Sequence, residues 1–338
     1  MKLLQKISLS VATLALASTV SNAGTLEQVK EKGYVSCGVS TGLAGFSTAN
    51  SAGNWEGIDV DVCRAVASAV FGDDKKVKYA PLTAKERFTA LQSGEIDILS
   101  RATTWTLTRD AALGLNFAGV NYYDGQGFLV SKDIGVNSVK ELDGATVCIQ
   151  AGTTHELNLS DYFKANKMSF KPITYDTSGQ TIEAFKSGRC DVITSDASQL
   201  YGLALKVKDP NSVKVLPDII SKEPLGPVVR QGDDKWFNIT KWSYIAMLNA
   251  EELGVNQANV DAMLKSENPD IKRLLGTSGE AGKNLGLNNT WAYNIIKNVG
   301  NYGESFERTV GKKSPLKIDR GLNKLWNQGG LQYGAPIR

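Results

Sequence analysis

The sequence predicts an α/β protein of two lobes joined by two hinge strands, with a discontinuous first lobe. Three observations predict it. The first is an internal repeat. Phe88-Thr-Ala-Leu-Gln-Ser-Gly-Glu-Ile-Asp-Ile-Leu99 and Ile182-Glu-Ala-Phe-Lys-Ser-Gly-Arg-Cys-Asp-Val-Ile193 both read as the end of a helix, a glycine stop and a strand. The shared Ser-Gly-x-x-Asp places Gly94 and Gly188 at the left-handed position that ends a helix. The second observation is that each copy is preceded by an opening strand, Tyr34 to Ser40 and Ala145 to Gln150. Strands alternating with helices in this way imply mostly parallel sheets. The third is a pair of segments carrying glycine or proline, Tyr122 to Val130 and Glu223 to Val229, which read as strands leaving and re-entering the first lobe. They divide the chain into lobe 1 at 24–128 and 229–338, which includes a C-terminal extension, and lobe 2 at 129–228.

Taken in chain order, the first 23 residues read as a secretory leader. Lys2 and Lys6 form a basic start, Ile7 to Ala17 is a short apolar run, and Ser21-Asn22-Ala23 supplies small residues for cleavage after Ala23. An uncleaved anchor is the alternative, but the run is shorter than the ~20 residues a span needs. No later segment reads as a span, so a soluble mature chain is expected. About 315 residues then remain, enough for about two domains, and 42% apolar content suffices for packed cores. Lys+Arg total 38 against 35 Asp+Glu. Without Lys2 and Lys6 the balance is near neutral, which gives no reason to expect nucleic acid or a membrane surface as partner.

Opening strand Tyr34 to Ser40 leads through a glycine-rich loop into a helix from about Asp61 to Val70. Val62, Val66, Ala69 and Val70 share one face of it. Asp59 and Asp61 fall near its positive N-terminal end. Four cysteines, Cys37, Cys63, Cys148 and Cys190, favour disulfides in an oxidising compartment. Of three possible pairings, Cys37–Cys63 and Cys148–Cys190 keep each bridge inside one lobe; four free buried thiols are the alternative. No CxxC spacing occurs and His155 is the sole histidine, so no metal site is expected. Beyond the return strand, helical segments are expected at Lys235 to Leu253, Val260 to Leu264 and Trp291 to Val299. Gly276 to Asn289 reads as loop, and the tail from Gly321 to Arg338 as a segment folding back over a lobe.

Gly57-Ile-Asp-Val-Asp-Val-Cys-Arg-Ala-Val-Ala67 resembles the signature of the polar-amino-acid family of bacterial solute-binding proteins. Leu91 to Asp97, Thr103-Thr-Trp-Thr-Leu-Thr-Arg109 and Gln150-Ala-Gly-Thr-Thr154 extend the resemblance along the mature chain. Val299-Gly-Asn-Tyr-Gly-Glu304 and Gly321-Leu-Asn-Lys-Leu-Trp326 are similar to the general L-amino-acid-binding branch. The resemblance implies a type II periplasmic binding protein fold that closes on its ligand. It also implies a periplasmic location, a free L-amino acid as ligand and an inner-membrane ABC permease and ATPase as partners. A monomer is expected, with no cofactor.

An amino-acid zwitterion needs an anion site and a cation site close together. Arg109 is the first candidate for the carboxylate, since a guanidinium can grip it with two parallel hydrogen bonds; the alternative is a surface charge paired with Asp110. The resemblance implies that Thr104 joins it, and that Thr154 meets the carboxylate from lobe 2. Thr153 and Glu156 match a capping box at a helix start. Asp196, just past a strand end where ligands of open α/β sheets bind, is the candidate for the ammonium; an N-cap role is the alternative. Arg87 matches a position that carries an arginine to the distal carboxylate in acidic-amino-acid binders, or else lies on a solvated helix face. Arg101 is read as binding polar side chains or closing the cleft, Ala102 as contributing its backbone, and Phe46 as an apolar wall or core. Leu43 stands where many relatives have an aromatic lid. His155 reads as a helix-surface residue, Trp105 as packed, and Asn238-Ile-Thr240 as a sequon without function.

Two other functions fit the same fold. A periplasmic dehydratase would need a general acid or base in the cleft, and no catalytic motif stands out. A sensor module that reports amino acids to a receptor differs only in partner surfaces.

Overall fold

The computed structural model describes residues 24–338; the expected leader lies outside them. Helix α1 (Thr25–Lys32) precedes β1 (Val35–Ser40), a small ribbon β2 (Thr48–Ala49) and β3 (Trp55–Glu56), α2 (Ile58–Phe71), β4 (Val77–Leu82), α3 (Arg87–Ser93), β5 (Ile98–Leu99) and β6 (Leu115–Phe117). The chain crosses through β7 (Tyr122–Asp124) into β8 (Gln126–Ser131), β9 (Thr146–Gln150), α4 (His155–Ala165), β10 (Lys171–Tyr175), α5 (Ser178–Lys186), β11 (Val192–Asp196), α6 (Ala197–Ala204) and β12 (Val213–Val215). It returns through β13 (Glu223–Leu225) to β14 (Val228–Arg230) and α7 (Asp234–Glu252). Short helices α8 (Val260–Met263), α9 (Pro269–Leu274) and α10 (Ala281–Asn284) lead to α11 (Trp291–Asn298) and α12 (Tyr302–Thr309).

The strands form two five-stranded sheets of the same design, ordered β4-β1-β5-β14-β6 and β10-β9-β11-β8-β12. In each, three strands run parallel and two more pair antiparallel beside them. The expectation of mostly parallel sheets is therefore half met. The reason is the crossing: β8 and β14 are the strands that have just arrived from the other lobe, and each enters its new sheet against the local direction. The crossings β7 and β13 pair with each other, Asp124 opposite Glu223 and Tyr122 opposite Leu225. Gly94 and Gly188 take φ of 81° and 71°, as the repeat requires.

Helix α2 is the keystone of lobe 1. Every residue of it from Ile58 to Ala69 except Arg64 is buried, among them Val62, Cys63 and Val66; full burial of an aliphatic side chain contributes about 1.5–3 kcal/mol. Its N-cap, Gly57, has φ of 136°, and a β-carbon there would stand 2.1 Å from the Phe46 carbonyl oxygen, so no other residue fits. Asp61 accepts from Ser305 and Arg308, fastening α12 to the start of α2. The expected loop from Gly276 to Asn289 contains α10, and the tail does fold back. Asn323 accepts from the Tyr123 N–H (2.7 Å) and donates to the Tyr123 carbonyl (3.1 Å). Gln332 donates to the Val120 carbonyl. The sequon lies within α7, with Thr240 buried. Among the described residues no helix is long and apolar enough to cross a membrane.

Cys37 of β1 bonds Cys63 of α2, and Cys148 of β9 bonds Cys190 just before β11. Each bridge stays inside one lobe, closing 26 and 42 residues of chain. Reduction should therefore lower the unfolding free energy by about 2–4 kcal/mol per bridge, read as a fall in denaturant midpoint. Non-reducing peptide mapping that recovers a bridge between the lobes would contradict the pairing.

Candidate ligand-binding site

Between the lobes the C-terminal strand ends converge on a cleft with about 370 Å³ of space between atoms, part of it open to solvent. From lobe 1 come Ser40 and Leu43 after β1, Arg87 of α3, Arg101, Ala102 and Thr104 after β5, and Arg109. From lobe 2 come Gln150 at the end of β9, Thr153, Thr154 and His155 beyond it, Ser178, Asp196 at the end of β11 and Gln199. The arrangement brings together Arg87, Arg101, Ala102, Thr104, Arg109, Thr153, Thr154 and Asp196. Phe46 is elsewhere: it is buried in the lobe 1 core, its ring 5.1 Å from that of Tyr122.

The loop after β5 is held by Asp59, whose carboxylate accepts from the Ala102 N–H (2.7 Å) and from Asn121 (2.8 Å). Ala102 takes a left-handed φ of 40°, a conformation that needs such an anchor in a non-glycine residue. Arg109 stands on a π-helical turn, Thr108–Ala112, an uncommon element often met at functional sites. Asp110 takes the Trp105 indole N–H instead of pairing with Arg109, and Trp105 stacks on Phe117.

Three guanidiniums are buried side by side: Arg87, Arg101 and Arg109 are 2%, 5% and 8% exposed. Among the described residues none of them has a carboxylate within ion-pair distance. Arg101 donates to the Leu82 carbonyl at 3.0 Å and Arg109 to the Thr104 carbonyl at 2.8 Å. Arg87 makes only long contacts, at 3.4 Å, to Thr103 and to the Gly152 carbonyl across the cleft, and its Nε is unpartnered. The Phe88 ring lies 4.7 Å from the Arg87 and 5.2 Å from the Arg109 guanidinium carbon, a cation–π contact with each. Burial lowers all three arginines, Arg101 to about 10, and the neighbouring arginines add to the fall for Arg87 and Arg101.

The opposite charge is buried as well. Asp196 accepts from Gln199 and lies 3.2 Å from the His155 Nε2. Burial pulls the His155 imidazole down, but the Asp196 carboxylate, with Glu223 adding to it, leaves the ring above its ordinary value. Burial, with Asp196 nearby, pushes the Asp124 carboxyl up to about 7. Glu223 of β13 accepts from Thr104 (2.6 Å), Thr154 (2.9 Å), Asn158 (2.7 Å) and Ser221 (2.7 Å). His155, Asp196 and Glu223 offer ligand atoms within 4.8 Å of one another. A cation there would have to displace those hydrogen bonds beside three arginines, so the trio is poorly suited to hold a metal.

Two readings of the sequence are corrected. The capping box at Thr153 does not form: Thr153 donates to the Gln150 carbonyl, and Glu156 reaches the Gly152 N–H. The helix begins at His155 instead, which turns that imidazole inward rather than onto the surface. Glu223, Gln199 and Phe88 were missed altogether. The available signal for Glu223 was an acid inside a strand of proline, glycine and aliphatic residues. Gly152 packs on lobe 1, where a β-carbon would come within 3.0 Å of the Lys85 side chain, and Lys85 pairs with Asp176 at the cleft rim.

Two mixed sheets, two paired hinge strands and a charged cleft at the strand ends define a two-lobed solute-binding protein of the type II periplasmic class. The chain belongs to the bacterial extracellular solute-binding proteins, family 3, whose profile matches residues 35–254. The general L-amino acid-binding periplasmic protein of Rhizobium johnstonii is 59% identical over 333 residues, 98% of each chain. The glutamate/glutamine/aspartate/asparagine-binding protein of Rhodobacter capsulatus is 50% identical over 330 residues, 97% of this chain and 98% of that one. A periplasmic binding protein from Brucella ovis, solved with glutathione bound, has 58% identity and a TM-score of 0.92 over 94% of this chain and 100% of its own.

Burial pushes the Asp59 carboxyl up to about 6, above the ~3.9 of an unfolded aspartate. An acid raised by folding stabilises the native state fully below its unfolded value, and that contribution is lost as pH rises through about 6. Asp59→Asn has no proton to lose. Its melting temperature, followed from about pH 4 to about pH 7, should fall less steeply than that of wild type. Parallel curves would rule this out.

Proposed function

We propose that this chain captures a free L-amino acid in the cleft and delivers it, in the periplasm, to an inner-membrane ABC permease and ATPase. The observation that carries the reading is the set of three buried guanidiniums without carboxylate partners, facing Asp196 across the cleft. A buried charge without a partner is costly, so such a set is suited to an anionic ligand. The jaws are residues 24–128 with 229–338, and residues 129–228.

In this reading Arg109 holds the α-carboxylate and Asp196 the α-ammonium, so that the ligand's own charges tie lobe 1 to lobe 2. Thr104, Ala102, Thr153 and Thr154 border the same position. Arg87 and Arg101 remain for the side-chain end. Two spare guanidiniums favour ligands with a second carboxylate or a polar terminus, over a broad range of amino acids. The names of the relatives agree with that range: one is a general L-amino acid binder and another takes glutamate, glutamine, aspartate and asparagine. Glutathione, held by the Brucella ovis protein, also carries an amino-acid zwitterion at one end and a second carboxylate at the other.

Calorimetry with a panel of amino acids tests this. Stoichiometric binding without product supports a carrier over an enzyme. Arg109→Ala should abolish measurable binding, and Arg109→Lys should restore part of it, because lysine lacks the paired fork. Asp196→Asn should weaken binding by about 2–5 kcal/mol. Wild-type affinity in both Arg109→Ala and Asp196→Asn, with circular dichroism unchanged, would sink the reading. Arg87→Ala should leave alanine binding intact and weaken glutamate; equal losses for both would remove Arg87 from the side-chain subsite.

A further inference from the structure

We propose that Glu223 is a positioning residue, a hinge-borne clasp that draws one hydroxyl from each lobe onto a single carboxylate oxygen. This rests on the reading of the cleft as an amino-acid site. Glu223 lies on β13, the return crossing, and is buried. Its Oε2 accepts from Thr104, which follows β5 of lobe 1, and from Thr154, which opens α4 of lobe 2. Its Oε1 accepts from Asn158, one turn further along α4, and from Ser221 on its own segment. All four partners donate, so the carboxylate is used purely as an acceptor.

The hydroxyl chemistry has a consequence for recognition. A threonine has one proton to give. Thr104 and Thr154 both spend theirs on Glu223, and they are the two threonines whose hydroxyls the family resemblance assigns to the ligand carboxylate. With Glu223 in place they turn lone pairs, not protons, towards the cleft. The ligand carboxylate is left to Arg109 and to backbone N–H groups, and the two hydroxyl oxygens become acceptors for an ammonium. Because Thr104 and Thr154 come from opposite lobes, the same carboxylate also fixes the register in which the lobes meet. Its contribution is independent of the ligand's side chain.

The test is titration of wild type, Glu223→Gln, Thr104→Val, Thr154→Val and the double variants with alanine, glutamine and glutamate. Glutamine keeps the shape but presents an amide donor to donors. Glu223→Gln should reduce affinity about tenfold or more, by the same factor for all three ligands. Its loss should be non-additive with Thr104→Val and with Thr154→Val, as for groups acting in one network. Wild-type affinity, a loss confined to glutamate, or full additivity with both threonine variants would overturn the clasp. If Glu223→Gln does not fold, Asn158→Ala removes one donor from the far oxygen and leaves the cleft lining untouched; it should give a smaller loss, again equal across ligands, and a ligand-dependent loss or none would overturn the proposal. If wild type binds no amino acid, the reading of the cleft fails, and the clasp is decided by small-angle scattering of the ligand-free chain. Glu223→Gln should then have the larger radius of gyration, and equal radii would refute it.

Discussion

Unpaired positive charge in a buried cleft is the constraint around which this molecule is organised. Arg87, Arg101 and Arg109 are taken out of water without a carboxylate in contact, and burial lowers each of them. Their cost is offset by acids one layer away. Asp59 fixes the loop that carries Arg101, Asp196 faces them from the other lobe, and Glu223 gathers the hydroxyls between. The Phe88 ring offers a negative face to both Arg87 and Arg109. The hydrogen bonds here serve geometry before stability: each holds a charged or polar group at the cleft.

That arrangement explains what was legible in the sequence. The repeat located the equivalent strand ends near which Arg109 and Asp196 stand, and the resemblance added Thr104 and Thr154; all four line the cleft. So do Arg87 and Arg101, whose long side chains reach the cleft from a helix start and from a strand end. Both disulfide pairs followed from lobe membership alone. The failures have local causes. His155 depended on where α4 begins, and a shift of one residue in the first helical position changes the face a side chain occupies. Phe46 follows a strand whose loop doubles back beneath Gly57, so its ring enters the core beside Tyr122. The orientation of Glu223 depends on the pairing of β13 with β7, a contact between residues about a hundred positions apart for which the sequence carries no marker.

The segment beyond the family match, residues 255–338, is not an appendage. Its helices α11 and α12 bury Trp291, Ile295, Tyr302 and Phe306 against lobe 1. Asn323 then lines the backbone of β7 as a neighbouring strand would. One hinge strand is thereby braced from outside, while the other carries Glu223 within. The extension thus belongs to the mechanics of the joint as well as to the core.

The placement of the two disulfides bears on how such a chain is assembled. Lobe 1 is completed only when β14, α7 and everything after them have been made, yet Cys37 and Cys63 both precede the first crossing. Their bond can form while lobe 2 is still emerging, and it ties β1 to α2 before the rest of that sheet exists. Cys148 and Cys190 likewise close within a single uninterrupted stretch. A chain synthesised from its N-terminus can therefore cross-link each half locally, and leave the docking of the late strands and the extension as the last, reversible step.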